Sequence, residues 1–215
     1  MLAPREAELA RRVVVRAGER LLEIGCGEGA NLHHLREVGA LRFGVDYSGA
    51  KTAFARRATD AHTVTADATR LPFTDGAFDA VLIRDVLHHI GDVGGVLAEA
   101  RRVLRAGGRL TLLEPNRASP FILMQAALIP AERGVLRSTA AALAARLERA
   151  GFRVTASGHD QPFPIERVLL HPSFGLPSLA GHPLIARALA AADAVARRLL
   201  PERAWMYLVF EATVP

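Results

Sequence analysis

The sequence predicts an α/β fold with a largely parallel, doubly wound sheet. Short apolar runs that are typical of buried strands alternate along the chain with segments of helical periodicity. The run at 20–24 ends in glycines that a helical pattern follows, and the run Phe78 to Ile83 is almost continuously apolar. Such a run indicates a central strand with both faces covered. At 215 residues the chain is predicted to be one domain.

The stretch from Leu21 to Ala30 places glycines at 25, 27 and 29 between the first strand and the first helix. Glycines at such a turn permit positive φ and let a ligand approach the bare backbone. Gly25-x-Gly27-x-x-Ala30 also fits the dinucleotide fingerprint. Glu23 favours a zwitterionic amino-acid ligand instead, because a carboxylate facing the crevice would hold an ammonium group and repel a diphosphate.

Asp46 ends the predicted second strand, 21 residues after Gly25. At that place a carboxylate can accept hydrogen bonds from both ribose hydroxyls of an adenosine ligand, and it disfavours a 2′-phosphate. The alternative is a turn or helix-capping role, which the following Tyr47-Ser48 could also fill.

Glu23 followed by Gly25, Gly27 and Gly29 resembles the first motif of the class I S-adenosylmethionine-dependent methyltransferases, an acidic residue before Gly-x-Gly-x-Gly. The resemblance is strong over about 20–116. It implies a Rossmann-like sheet of seven strands with the last one antiparallel, in a single domain of residues 1–215. The cofactor-binding core would be 20–116, and segments 117–137 and 159–203 would form an apolar helical cap.

The resemblance also implies the cofactor, S-adenosyl-L-methionine, and its product S-adenosyl-L-homocysteine. Asp67 would receive the adenine amino group and Ala68 would offer its backbone N–H to the ring; the alternative for Asp67 is an Asx-turn. The full set of expected cofactor contacts is Glu23, Gly25, Cys26, Gly27, Gly29, Asp46, Tyr47, Asp67, Ala68, Arg84 and Asp85.

His88 and His89 lie just past the fourth strand, where open α/β sheets bind ligands. Adjacent histidines point in different directions, and no further ligand at a suitable spacing is visible, so no metal site is predicted. A histidine near the reactive methyl could accept a proton from the acceptor. Both residues are therefore candidate catalytic groups, and the alternative is a role in loop structure.

Composition excludes several classes. The formal charge is +5, but Lys51 is the only lysine and the arginines are scattered, so no nucleic-acid partner is predicted. Cys26 is the only cysteine, which excludes an internal disulfide and fits the cytoplasm. There is no signal-peptide core and no run of eighteen apolar residues.

Spacing predicts the remaining elements. Helices are expected at 4–17, 31–38, 49–58, 93–104, 139–150 and 184–200, and strands at 43–46, 64–68, 109–113, 152–156 and 205–213. Glu114 and Asn116, at the end of the fifth strand, could orient a substrate or cap the helix that starts near Ser119.

The predicted cap combines an apolar stretch from Ala118 to Pro130 with an amphipathic helix at 184–200. This helix could pack on the domain, cover the substrate, form a homodimer face or touch a membrane surface. The sequence therefore predicts methyl transfer to a small, apolar acceptor. An NAD-dependent oxidoreductase and a non-catalytic S-adenosylmethionine-binding protein are the alternatives.

Overall fold

The computed structural model describes residues 12–162 and 182–215. Its centre is a seven-stranded sheet in the order β3-β2-β1-β4-β5-β7-β6. The strands are β1 (Arg20–Ile24), β2 (Leu41–Asp46), β3 (His62–Thr65), β4 (Phe78–Arg84), β5 (Leu104–Pro115), β6 (Arg153–Asp160) and β7 (Tyr207–Thr213).

The helices fill the connections between these strands. They are α1 (Ala30–His34), α2 (Gly49–Thr59), α3 (Val93–Val103), α4 (Pro120–Leu128), α5 (Ala140–Arg149) and α6 (Pro183–Leu199). Four short 3₁₀ segments, Leu35–Val38, Leu87–His89, Pro130–Arg137 and Glu202–Ala204, complete the described elements.

The first five strands pair in parallel, whereas β7 runs antiparallel between β5 and β6. The predicted doubly wound sheet of seven strands with an antiparallel last strand is thus confirmed. Pro115 at the end of β5 and Asp160 at the end of β6 both pair with Tyr207 at the start of β7. The connections around β7 therefore meet at the carboxyl edge of the parallel strands.

Two apolar layers cover the sheet, and strand alternation assigns residues to them. Leu22 and Ile24 of β1 lie in the layer formed with α3 and α5, while Leu21 lies in the layer formed with α4. Because successive strand side chains point to opposite faces, a strand buried on both sides must be apolar throughout. This explains the continuous run in β4, whose residues from Ala80 to Ile83 are at most 1% exposed.

Three expectations about elements are wrong in part. Residues 12–17 of the predicted leading helix form turns and irregular backbone, and its residues 4–11 lie outside the described residues. The first helix has only five α-helical residues before it tightens into 3₁₀ geometry at Leu35–Val38. The third strand ends at Thr65, so Asp67 lies in the following loop. Of the segment 159–203, residues 163–181 are outside the described ranges.

Across the two described ranges, none of the helices combines the length and the apolar character that crossing a membrane requires.

Candidate functional site

The three glycines of the loop after β1 have positive φ but different surroundings. A Cβ on Gly25 would lie 2.1 Å from Val86 Cγ2, and one on Gly29 would lie 2.8 Å from Thr59 Cγ2. A Cβ on Gly27, at φ 52°, would meet nothing within 4 Å. Gly25 and Gly29 therefore allow close packing inside the protein, whereas Gly27 leaves open space where a ligand can reach the backbone.

Cys26 is part of this loop, but its side chain is turned inward. It is 5% exposed and packs with Leu32 and Ala61. Burial raises the pKa of its thiol to about 12, so the thiol stays protonated at neutral pH. Its backbone N–H donates to the Val45 carbonyl and its carbonyl accepts from the Gly29 N–H, so both backbone groups are engaged within the protein, and the cofactor contact of Cys26 stays a prediction.

Glu23 does not face an open crevice, contrary to the expectation. It is 2% exposed, and its Oε1 accepts a hydrogen bond of 2.6 Å from Asn31 Nδ2. Within the described parts of the chain, its Oε2 has no hydrogen-bond partner. Burial raises the pKa of Glu23 to about 7, although the Asn31 hydrogen bond and the charge of Arg84 act in the opposite direction. A buried acceptor without a partner is unusual, and a ligand cation would satisfy it.

Asn31 connects Glu23 to a polar network at the end of β4. Its Oδ1 accepts from Arg84 Nη1 at 2.8 Å, and Arg84 Nε lies 3.5 Å from Asp85 Oδ2. The same Asp85 oxygen accepts from the hydroxyl of the fully buried Tyr207 at 2.8 Å. Asn31 and Tyr207 were missed by the sequence analysis. The predicted cofactor contacts of Arg84 and Asp85 stay predictions, and both side chains also hold the carboxyl edge together.

Asp46 lies beside the glycine loop at the end of β2, as predicted. Its Oδ2 accepts from the Gly27 N–H and its Oδ1 from the Ser48 N–H, each at 2.9 Å. Ser48 in turn caps α2 through Lys51 N. A carboxylate oxygen can accept more than one hydrogen bond, so these contacts fix the orientation of Asp46 and leave acceptor capacity for a ribose. Tyr47 is 84% exposed next to it.

Asp67 forms the Asx-turn that was the alternative in the sequence analysis. Its Oδ1 accepts from both the backbone N–H and the hydroxyl of Thr69, each at 2.8 Å. These hydrogen bonds lower the pKa of the exposed carboxyl group. The roles of Asp67 and Ala68 towards adenine stay predictions.

His88 is buried between two carboxylates. Its Nδ1 lies 2.8 Å from Glu114 Oε2, and its Nε2 lies 3.5 Å from Glu132 Oε2. Burial disfavours the charged ring, but the hydrogen bond and charge of Glu114 outweigh it, and the pKa of His88 is raised. These contacts favour the alternative of a role in loop structure, and proton transfer by His88 stays a prediction.

Glu114 is the organising residue of the turn after β4. It is fully buried, and besides the His88 ring it accepts from three consecutive backbone N–H groups, those of Val86, Leu87 and His88. The sequence analysis left it between substrate orientation and capping of the helix near Ser119. Its hydrogen bonds instead go to the turn that follows β4, the strand next to β5 in the sheet.

The fold places a carboxylate beside the histidine pair that residue spacing did not reveal, and the absence of a metal site stays a prediction. Nitrogen atoms of His88 and His89 and a carboxylate oxygen of Glu132 all lie within 4.8 Å of one another. His89 is exposed and Glu132 is half-buried. The Glu132 donor comes from the 3₁₀ segment Pro130–Arg137, which packs against the turn.

Asn116 joins the two cap segments. Its Nδ2 donates to the carbonyls of Arg203 and Trp205, at 2.9 and 2.8 Å, and its Oδ1 accepts from Ala118 N. The amide is therefore occupied within the protein, and Asn116 is 3% exposed. It fixes the start of the first cap segment to the end of the second.

Comparison with known proteins identifies the domain. Residues 22–112, from β1 into β5, match the family described as "Methyltransferase domain". Residues 22–112 therefore form a methyltransferase domain of the class I S-adenosylmethionine-dependent type. The matched range contains the glycine loop, Asp46, Asp67 and the two histidines, and it does not favour the oxidoreductase alternative.

Curated relatives share this half of the chain. A demethylmenaquinone methyltransferase of Tropheryma whipplei is 36% identical over 111 residues, which are 50% of this chain and 46% of that protein. A 27-O-demethylrifamycin SV methyltransferase of Amycolatopsis mediterranei is 38% identical over 112 residues, 48% of this chain and 41% of the relative. The matching segment thus spans less than half of the length of these relatives.

A solved structure extends the similarity of fold to the whole chain. An S-adenosylmethionine-dependent methyltransferase from Thermotoga maritima superposes with a TM-score of 0.72 at 19% identity, covering 98% of this chain and 87% of that one. At this identity the superposition shows the shared fold, and it includes the part of the chain that the family match leaves out.

Proposed function

We propose that the protein is an S-adenosylmethionine-dependent methyltransferase that acts on a small, apolar acceptor. The observation that carries the cofactor assignment is Oε2 of Glu23, which is buried beside the glycine loop and has no hydrogen-bond partner among the described residues. An amino-acid moiety carries an ammonium group that suits this oxygen, whereas a diphosphate would be repelled by it.

The residues around the loop fit the rest of such a cofactor. Gly27 leaves backbone open to a ligand, and Asp46 presents a fixed carboxylate that can accept from ribose hydroxyls. Asp67 has a second oxygen, Oδ2, in addition to the one that Thr69 occupies. Its exposed position suits an adenine amino group at the end of the site.

S-adenosylmethionine supplies an electrophilic methyl group on its sulfonium. The task of the chain is then to hold an acceptor atom in line with that methyl and to keep water away. His89, which is exposed at the carboxyl edge, can accept a proton from a hydroxyl or amine acceptor. His88 has its Nδ1 held by Glu114, so its main role is to fix the position of the turn after β4.

The apolar acceptor is supported by the surface of the two cap segments. Large apolar side chains are exposed on both: Leu123 44%, Met124 51%, Leu128 73%, Ile129 45% and Leu136 41% in the first segment, and Leu184 65%, Val195 54% and Leu199 76% in the second. Apolar surface of this kind is typical of interaction sites. Because β5 and β6 both end opposite Tyr207, the two segments emerge at the edge where the glycine loop lies.

Turnover tests the proposal. The full chain is incubated with S-adenosylmethionine and a panel of apolar phenols, quinol precursors, amines and fatty acids, and release of S-adenosylhomocysteine is measured. We expect release with an apolar member of the panel and none with Gly27→Val, whose side chain would enter the open space at the loop. Saturable NAD binding without affinity for S-adenosyl ligands would overturn the proposal. S-adenosyl binding without turnover on any acceptor would favour the non-catalytic alternative.

A further inference from the structure

The side chains of His88, His89 and Glu132 converge where the turn after β4 meets the 3₁₀ segment Pro130–Arg137. Their donor atoms all lie within 4.8 Å of one another, and His88 Nε2 and Glu132 Oε2 are 3.5 Å apart. We propose that these three residues bind a divalent transition-metal ion of the zinc class. The site is separate from the Glu23 and Asp46 contacts assigned to the methyl donor. Coordination would occupy His89, so in the metal-bound protein His89 would not be the proton acceptor described above.

The separation of His88 Nε2 and Glu132 Oε2 suits two ligands of one ion. Zinc binds nitrogen and oxygen ligands at about 2.0–2.1 Å, and in a tetrahedron two such ligands are roughly 3.3 Å apart. At 3.5 Å the pair is long for a direct hydrogen bond. His89 is exposed, its ring centroid lies 3.9 Å from that of His88, and one of its ring nitrogens already lies within 4.8 Å of the other two donor atoms.

Glu114 supplies the support that metal-binding histidines require. Histidine ligands nearly always donate their other ring N–H to a carboxylate or carbonyl, which fixes the tautomer and the orientation of the ring. Glu114 Oε2 lies 2.8 Å from His88 Nδ1, and three backbone N–H groups hold the Glu114 carboxylate, two of them at Oε1 and one at Oε2. With the proton on Nδ1, the lone pair of Nε2 points at the Glu132 carboxylate, and a cation between them removes the repulsion of two acceptors.

Gly134 brings the Glu132 segment close to the histidines. A Cβ at this position would lie 1.7 Å from the carbonyl oxygen of His88. The backbones of the two segments are therefore in direct contact, and Glu132, two residues before Gly134, is placed beside the His88 ring. An ion bound there would tie the first cap segment to the carboxyl edge of the sheet.

The donor set selects the class of ion. Two imidazoles and one carboxylate suit Zn²⁺ and related transition metals, whereas Mg²⁺ and Ca²⁺ prefer oxygen ligands. Three protein ligands leave a fourth position open, which is typical of sites that also bind water or a substrate.

Calorimetric titration of the chelator-treated full chain with Zn²⁺ tests the proposal, with Co²⁺ absorption as a report of the ligands. We expect one ion per chain, no competition by millimolar Mg²⁺, and at least a tenfold loss of affinity in both His89→Ala and Glu132→Gln. His182→Ala, which removes an exposed histidine just before α6, is the matched control and should bind as the unmodified chain does.

The cobalt spectrum distinguishes this site from the single thiol. Nitrogen and oxygen ligands give weak visible bands without the strong thiolate absorption that Cys26 coordination would produce. Absence of Zn²⁺ binding in the micromolar range, equal affinity of His89→Ala, Glu132→Gln and the unmodified chain, or displacement by Mg²⁺ would each overturn the proposal. The first of these results would leave a protonated His88 as the cation beside Glu132.

Discussion

Asn31 lies between Glu23 and Arg84 and bridges them through its amide. Its Nδ2 donates to Glu23 Oε1 at 2.6 Å, while its Oδ1 accepts from Arg84 Nη1 at 2.8 Å. The carboxylate thus receives a neutral hydrogen bond in place of a direct ion pair, and its second oxygen has no partner in the described residues. This arrangement makes Glu23 sensitive to pH and to a ligand cation.

Glu23 is expected to make the unliganded protein less stable as the pH rises. Its pKa is about 7 in the folded state and 4.5 as the reference value, so between these pH values the folded state binds more protons than the unfolded state. The free energy of unfolding then falls as pH rises from about 4.5 to about 7, by up to roughly 3 kcal/mol. Urea unfolding at pH 5 and at pH 8 measures this decrease in the free energy of unfolding.

Glu23→Gln provides the control, since it retains the buried side-chain shape without the titration. The difference in unfolding free energy between the unmodified chain and this variant should change between the two pH values. Parallel pH profiles of the two proteins would contradict a raised pKa for Glu23.

Binding of S-adenosylhomocysteine should depend on the ionisation of Glu23 in the opposite direction, becoming stronger as the pH rises. If the ammonium of S-adenosylhomocysteine requires ionised Glu23, affinity falls on the order of tenfold between pH 7.5 and pH 6, because most of the free protein is then protonated. Calorimetry in buffers of different ionisation enthalpy should detect release of a proton near pH 6. In Glu23→Gln we expect weaker binding and no release, and proton release that persists in the variant would assign the effect to another group.

Asp46→Ala should weaken cofactor binding by about tenfold to a hundredfold, because charge-assisted hydrogen bonds contribute roughly 1.5–3 kcal/mol. The same carboxylate holds the Gly27 and Ser48 N–H groups, so a small decrease in melting temperature is also expected. Asp46→Asn retains one acceptor oxygen, so its melting temperature should stay close to that of the unmodified chain while its cofactor affinity falls. Unchanged affinity and unchanged melting temperature in Asp46→Ala would show that Asp46 is dispensable at this loop.

Motifs that depend on neighbours in sequence were predictable. The glycine loop, the strands and Asp46 at the end of β2 follow from apolar periodicity and from a fixed spacing of residues. The surroundings of Glu23 could not be predicted, because they include Asn31 and Arg84, which are 53 residues apart and come together only at the carboxyl edge of the folded sheet.

The contacts of the turn after β4 could likewise not be predicted from the sequence. Adjacent histidines are visible in the sequence, but the carboxylate that holds His88 comes from 26 residues away on β5. Glu132 reaches the pair only because Gly134 allows its segment to touch the His88 backbone. Such contacts depend on the register of strands and on close packing, which residue spacing does not encode.

Gly134→Ala should destabilise the protein by about 1–3 kcal/mol, since the added methyl would overlap the His88 carbonyl oxygen and the backbone must shift. Chemical denaturation measures the change. Gly91→Ala is a suitable control, because its Cβ would meet nothing within 4 Å in the same region. Equal stability of both variants would mean that the Pro130–Arg137 segment does not pack on the turn as described.

Replacing residues 163–200 by a short Gly/Ser bridge should separate cofactor binding from methyl transfer. The ends of this segment are held close together, because Gln161 O accepts from Met206 N at 2.8 Å and Asn116 binds the Arg203 carbonyl, so a short bridge can close the chain. The Glu23 and Asp46 contacts lie outside the removed segment, and S-adenosylhomocysteine affinity should therefore be largely retained. Transfer to an apolar acceptor should be lost, because the proposed cover that excludes water from the methyl is gone. Calorimetry and S-adenosylhomocysteine release with the acceptor identified for the full chain measure the two effects.

A truncated chain that fails to fold would assign the segment to the core. A truncated chain that folds and methylates a small polar acceptor at the full-length rate would exclude the cover and place the substrate among polar metabolites.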